Sequence, residues 1–396
     1  MSEPRTVTAQ RVLMVVTWSL AEDTGYTVNA RRTIDALRRD GHTVAVCQVV
    51  DRYRLESARR FADSRDADVV LMAPDAGVGA ARAWALRSAR RGVARAAERF
   101  GPDVVHARGL RAGSLCAELG GVPVLLDVRG DIVSEVRSAG ADLAAPRGRS
   151  AVRHAEDDER KALRAAAGMV VVSDGMLDWI TDRYPRVFGL PHAVVPCHAD
   201  EPPAACPEPA RDEGLSLVYA GGMQSYQPPA VVFEALSRVG ALSDATRIDV
   251  YVTSQSEDVV RERDRLCPDA RLETLPAAEV SVRLCSADIG LIPRTDDPSN
   301  AVACPTKIAE YLASGVPVAI SPYLGRWPEL LVSWGVGISL SASDDEIAAF
   351  AQQVRAHRAE VGQRCREVAR AHFSEASAMR TLDGLYARLT GSAGPR

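Results

Sequence analysis

Apolar residues along this chain come in short dense runs, each followed by a stretch in which apolar positions recur at helical spacing. In the first half the runs are Val12 to Trp18, Thr43 to Val50, Asp68 to Ala73, Asp103 to His106, Val122 to Val128, Met169 to Ser173 and Ala193 to Pro196. That alternation predicts a parallel sheet covered by helices, an α/β class. The first strand leads into Asp23-Thr24-Gly25-Tyr26-Thr27 and a helix carrying Val28, Ala30, Ile34, Ala36 and Leu37, closed by Asp40-Gly41-His42. Gly25 stands where backbone can approach a ligand.

Four prolines within Pro202–Pro209 interrupt the rhythm and favour an extended connector over a packed element. A second series then begins: Leu215 to Ala220, Ile248 to Thr253, Leu272 to Leu275, Ile289 to Pro293, Val316 to Ser321 and Gly337 to Leu340. Beyond Leu340 the pattern is almost wholly helical. The expected organisation is a first Rossmann-like domain over 1–200, a linker over 201–214, a second Rossmann-like domain over 215–372, and a final helix over 373–396 that returns to the first domain. In open parallel sheets ligands bind beyond the carboxyl ends of the strands, so the loops after strands are where chemistry is sought.

The length of 396 residues suits two domains rather than one core, and 46% hydrophobic and 25% charged residues describe a globular chain. A formal net charge of -4 argues against nucleic acid as a partner. The cysteines show neither C-x-x-C pairs nor metal-ligand spacing, so no metal is expected. No apolar stretch reaches the roughly 18 residues needed to cross a bilayer, and a cytoplasmic location is expected. The segment 81–100 carries Arg82, Arg87, Arg90, Arg91, Arg95 and Arg99 against Glu98, with Leu86, Val93, Ala97 and Phe100 along one side. Such a helix either packs on its sheet with a solvated face or makes a peripheral contact with an anionic leaflet.

The most informative stretch runs from Asn300 to Ser321: a helix start at Cys304-Pro305-Thr306, a short helix, a stop at Gly315 and a buried strand. A helix opening just past a strand offers free N–H groups and partial positive charge to a phosphate. Pro305 fits the first helical position, Lys307 the first turn, and Glu310 the same face. The plain alternative is an ordinary helical ion pair. Gly221 and Gly222 follow the first strand of the second half and permit a sharp, anion-exposing turn ahead of Gln224, although no G-x-G-x-x-G is present. In the first half His106 closes a strand with Arg108 just beyond it, and Asp127-Val128-Arg129-Gly130-Asp131 ends the next. These charges act on a ligand or pair among themselves as scaffold. No G-x-S-x-G elbow occurs.

Taken in order, these pieces resemble the retaining nucleotide-sugar glycosyltransferases of family four, with the GT-B architecture of two Rossmann-like domains whose parallel sheets face across a cleft. The resemblance rests on Thr24-Gly25-Tyr26, Gly41-His42-Thr43-Val44, Pro102 to His106, Val171-Val172-Ser173, Val195-Pro196 through Asp200, Tyr219-Ala220-Gly221, Ala287 to Leu291 and, most specifically, Pro305 to Ser321. It implies that the second domain binds a nucleotide-sugar, with a UDP-sugar the commonest donor. The first domain takes the acceptor: a sugar, a lipid-linked saccharide or an aglycone.

By the same resemblance Glu310 holds the ribose, Gly221 and Gly222 line the diphosphate, Gly25 approaches it from the first domain, and His106 stands near the transferred sugar. Val302 occupies the place of the family's first glutamate, and Gln224-Ser225-Tyr226-Gln227 replaces a basic residue common after the glycine loop. In this Pro-x-Lys-x-x-Glu-Tyr version, Lys307 is assigned to the diphosphate. Asn300 and Thr306 flank it, and the backbone around Ala303 and Cys304 meets the sugar. Arg108, Arg129 and Asp131 are acceptor-side candidates. No cofactor is implied. The rival expectations are a donor-binding protein that has lost catalysis, as Val302 suggests, and an epimerase or phosphorylase on the same fold.

Overall fold

The computed structural model describes residues 8–22, 24–62, 68–72, 80–138, 145–199, 214–243 and 245–391. The chain divides into two compact units: Met1–Pro196 with Ala378–Arg396, and Cys197–Ser377. The expected linker over 201–214 lies outside the described residues except for Gly214.

The first unit holds seven strands: β1 (Arg11–Val16), β2 (Thr43–Val50), β3 (Val69–Met72), β4 (Val104–Arg108), β5 (Val124–Val128), β6 (Gly168–Val171) and β7 (His192–Val194). They pair in the order β3-β2-β1-β4-β5-β6-β7, every pair parallel. Strands covered on both faces read as continuous apolar runs, which is why β1 and β2 are buried after their first residues. The helix Gly25–Arg39 starts at Thr24, whose side chain caps Thr27 N–H while Thr27 returns a bond to the Thr24 backbone. Its apolar stripe of Ala30, Ile34 and Leu37 joins Val12, Met14, Val46, Leu125 and Val170 in the core.

The C-terminal helix Glu375–Thr390 completes that core with Met379, Leu382, Leu385 and Tyr386. Its Asp383 accepts the 2.9 Å contact from His42 Nε2.

The second unit repeats the plan with β8 (Leu215–Ala220), β9 (Ala245–Tyr251), β10 (Arg271–Glu273), β11 (Ile289–Ile292), β12 (Val318–Ile320) and β13 (Gly337–Ser339), in the order β10-β9-β8-β11-β12-β13. In each unit the order reverses direction beside the first strand, between β1 and β4 and between β8 and β11. This is the position at which such sheets open to ligands. Strand ends shift by a few residues from the sequence-based bounds for identifiable reasons. Val316, expected in β12, instead donates its N–H to Tyr311 O at 2.9 Å while Gly315 N–H bonds Leu312 O at 3.0 Å, a helix-ending motif that consumes the residue.

The helix Thr306–Ala313 is pinned against this sheet by two features. A Cβ at Gly290 would lie 2.4 Å from the Tyr311 ring, so glycine in β11 lets the helix sit close. Tyr311 Oη accepts the Ala220 N–H at the end of β8, 2.9 Å away. Among the described residues no helix is long and apolar enough to cross a membrane.

Candidate functional site

In the second unit the loops after β8 and β11 and the start of the helix Thr306–Ala313 converge. Ile289 of β11 pairs with Leu217 of β8, so the two strands finish level. Gly221 then turns with φ +133°, a conformation that residues with side chains rarely adopt, and a Cβ there would fall 2.6 Å from Lys307 Cε. Lys307 is buried, donates to Gln227 Oε1 at 3.0 Å and lies 4.9 Å from the centre of the Tyr219 ring. It forms no ion pair among the described residues. Burial first, and the nearby Arg294 second, pull its ammonium down from the ordinary lysine value to about 7, with Glu310 opposing.

Arg294, two residues past β11, is 8% exposed. Its guanidinium carbon stands 4.6 Å over the Tyr226 ring, and its Nη1 reaches Asn300 Oδ1 only at 3.5 Å. Burial depresses its pKa as well. A short turn carries both contacts: Gln224 and Gln227 exchange backbone bonds of 3.3 and 2.9 Å, and Asn300 Nδ2 holds Tyr226 O at 3.2 Å. Two buried cations side by side with N–H groups at a helix start make a receptor for an anion.

In the first unit the ends of β4 and β5 form a charge cluster around Asp127. Its carboxylate meets Arg108 Nη1 at 2.8 Å, Arg129 Nε at 2.6 Å and His106 Nε2 at 3.3 Å. Burial works against that charge, but Arg129 and Arg108 outweigh it and hold the carboxyl well below the usual carboxylate range. Burial also lowers the His106 pKa, and the neutral ring donates from Nε2 to Asp127 and accepts at Nδ1 from the Tyr386 hydroxyl at 2.7 Å. Tyr26 Oη donates to Arg108 O at 2.9 Å, and Asn29 Oδ1 takes the other arm of Arg108.

Residues 24–198 match the family described as Glycosyl transferase 4-like domain. No curated protein matches the sequence. Among solved structures, the glycosyltransferase from Rickettsia africae ESF-5 superposes with a TM-score of 0.66 at 14% identity, covering 97% of this chain and 100% of that one. The sucrose-phosphate synthase from Thermosynechococcus elongatus gives 0.64 at 15%, covering 97% and 100%. WaaG, a glycosyltransferase involved in lipopolysaccharide biosynthesis, gives 0.65 at 14%, covering 94% and 99%. The fold is GT-B. At these identities the likeness speaks for architecture, and the chemistry of this GT-B chain has to be argued from its own side chains.

The structure gathers Gly221, Gly222, Lys307, Pro305, Thr306 and Glu310 of the second unit around one loop and one helix start. Several expected roles need correction. Pro305 is the N-cap rather than the first helical residue, which puts the free N–H groups at Thr306 and Lys307. A Cβ at Gly222 would make only ordinary contacts, and Gln224 is exposed with its backbone bonded to Gln227.

The Ala303 N–H bonds Asn300 O at 3.2 Å and its carbonyl accepts Trp327 Nε1 at 2.9 Å, which leaves one carbonyl lone pair. Cys304 is buried, its sulfur taking the Cys197 N–H at 3.4 Å. Asn300, 1% exposed, holds Tyr226 O through Nδ2 and stands 3.5 Å from Arg294 Nη1 through Oδ1.

In the first unit Gly25 opens its helix onto free space. His106 has no exposed surface and Arg108 is 1% exposed, so both act by holding Asp127. Asp131 caps the helix Ile132–Ser138, accepting the Val133 and Ser134 N–H groups at 3.0 Å, and is scaffold. Arg129, with 10% of its side chain exposed, is the acceptor-side candidate that still reaches the surface.

Sequence reasoning missed Arg294 in one unit and Tyr386 in the other; it named Tyr226 and Gln227 without these partners, and the pairing of Arg129 with Asp127 is one of the two alternatives it offered. Arg294 carried a usable signal, since it follows the strand next to the glycine-loop strand in the sheet. Among the described residues no group of three or more His, Cys, Asp and Glu side chains could hold a metal ion.

Proposed function

We propose that this GT-B protein is a glycosyltransferase that moves a hexosyl unit from a nucleotide-sugar to an acceptor hydroxyl with retained anomeric configuration. The observation that carries this is Lys307: a buried cation with no ion pair among the described residues, beside Gly221, at the amino end of the helix Thr306–Ala313. In the donor complex the diphosphate would lie against Lys307 and the Thr306 and Lys307 N–H groups, and Glu310 would take the ribose. As the bond from the anomeric carbon to the diphosphate breaks, charge grows on the departing oxygen, and fixed donors there are worth several kcal/mol. An acceptor hydroxyl oxygen then bonds that carbon from the same face, and its proton passes to the departing diphosphate oxygen.

A UDP-sugar is the donor proposed first, with a sugar, lipid-linked saccharide or aglycone as acceptor. The glycosyl transferase 4-like match and the shared fold support the transferase class.

Nucleoside diphosphates at saturating concentration should raise the melting temperature by mass action, and Lys307→Met should abolish the rise while remaining folded. Acceptor-dependent nucleotide release then separates a transferase from its rivals. Turnover of donor without any hydroxyl acceptor would favour an epimerase, and binding without turnover would favour a lapsed donor-binding protein. Absence of any nucleotide-induced shift would sink the proposal.

A second reading concerns the helix Ala80–Phe100, proposed to rest on an anionic membrane surface. What favours it is that Trp84 is 73% exposed at the head of the exposed arginines Arg87, Arg91, Arg95 and Arg99.

A further inference from the structure

We infer that Arg294 is a second anion-binding residue of the second unit, forming with Lys307 a two-cation receptor that selects a diphosphate over a single phosphate. This rests on the donor-binding reading above and adds a residue and a charge rule which that reading does not require.

A guanidinium taken out of water without a carboxylate is expensive, and cores avoid it unless the charge is paired or used. Arginines elsewhere in the same unit obey the rule: Arg247 meets Asp249 at 2.9 Å, Arg358 meets Asp288 at 2.8 Å and Arg238 meets Asp344 at 2.6 Å. Arg294, more deeply buried than these, has no such partner among the described residues. Its backbone is fixed by Arg294 N–H to Ser321 Oγ at 2.8 Å, and its head by the Tyr226 face and Asn300. Those contacts aim the side chain; they leave most of its five N–H donors unspent.

The second cation is held by the same turn. Tyr226 carries Arg294 and the adjacent Gln227 carries Lys307, so two positive charges are kept together despite their mutual repulsion. Such an arrangement stabilises nothing in the empty protein. It suits a ligand with two adjacent phosphoryl groups, each offering an oxygen to one cation, whereas orthophosphate leaves one cation without a full partner. It also accounts for the loop Gln224 to Gln227 lacking a basic residue, since the charge comes from the end of β11.

Calorimetric titration of the full chain with inorganic pyrophosphate and with inorganic phosphate tests this directly. Wild type should prefer pyrophosphate. Arg294→Met should weaken pyrophosphate about 10- to 100-fold and phosphate much less, collapsing the preference. The same variant should melt no lower than wild type when empty, a readout that a structural arginine would fail.

Arg294→Lys keeps the charge without the fork and should fall between, still unfolding cooperatively; it decides the matter if the methionine variant does not fold. Undiminished pyrophosphate affinity in either variant overturns the assignment. Wild-type protein that binds neither pyrophosphate nor a nucleoside diphosphate removes the donor-binding reading itself, which separates the two failures.

Discussion

Lys307 shows how much one position can owe to its surroundings. Burial with Arg294 alongside brings its pKa to about 7, against Glu310 and in contact with Gln227 and the Tyr219 ring. An unfolded chain titrates the same lysine near ~10.4, so between these values the unfolded state binds more protons than the folded one. The cost of the buried lysine is therefore present in full below pH 7 and relieved as pH rises toward 10. Lys307→Met should stabilise the empty protein by roughly 1–3 kcal/mol at pH 6 and by clearly less at pH 9.5 in urea denaturation. A gain that grows with pH would contradict this account. At this scale the sequence announced Lys307, because proline, lysine and glutamate at those intervals mark a helix start. It could not announce Arg294, which has no carboxylate partner among the described residues, nor reveal that His106 is sealed behind Asp127 and Tyr386.

At the scale of elements, the apolar runs located the strands because a sheet covered on both faces demands uninterrupted valine, leucine and isoleucine. Their ends were less legible. Val316 fits a strand by composition and is claimed by the preceding helix through a bond to Tyr311 O. The helix Ala80–Phe100 is legible in both its aspects: Leu86, Ala89, Val93, Ala96 and Ala97 are buried, while Arg87, Arg91 and Arg95 form an exposed row below Trp84. Arg90 is set apart by its 3.2 Å contact with Glu118. Sedimentation with vesicles containing phosphatidylserine should weaken several-fold on replacing Arg87, Arg91 and Arg95 with glutamine, since each cation near such a surface contributes about 1 kcal/mol. Unchanged binding at low salt would leave the helix as a solvated cover on its sheet.

At the scale of the whole chain, the first unit is closed by residues that lie farthest from it in sequence. Met379, Leu382, Leu385 and Tyr386 are each almost fully buried in its core, and burial of such side chains contributes roughly 1.5–3 kcal/mol apiece. Their sum is comparable with the roughly 5–15 kcal/mol that holds an ordinary domain. A chain ending at Ser374 should lose cooperative protection of β1, β4 and β5 in hydrogen exchange, with the second unit's strands protected as before. Protection of β1 at wild-type levels would show the helix to be dispensable. By itself the sequence determined two successive series of strands and helices and the helix start beside Pro305, because hydrophobic period, proline and glycine act locally through backbone geometry. Only tertiary structure decided which polar groups are buried together: Asp127 between two arginines and a histidine, and Arg294 beside Lys307 with an ion pair for neither among the described residues. Pairing and desolvation depend on distance through space, and neighbours in space are not written as neighbours in the chain.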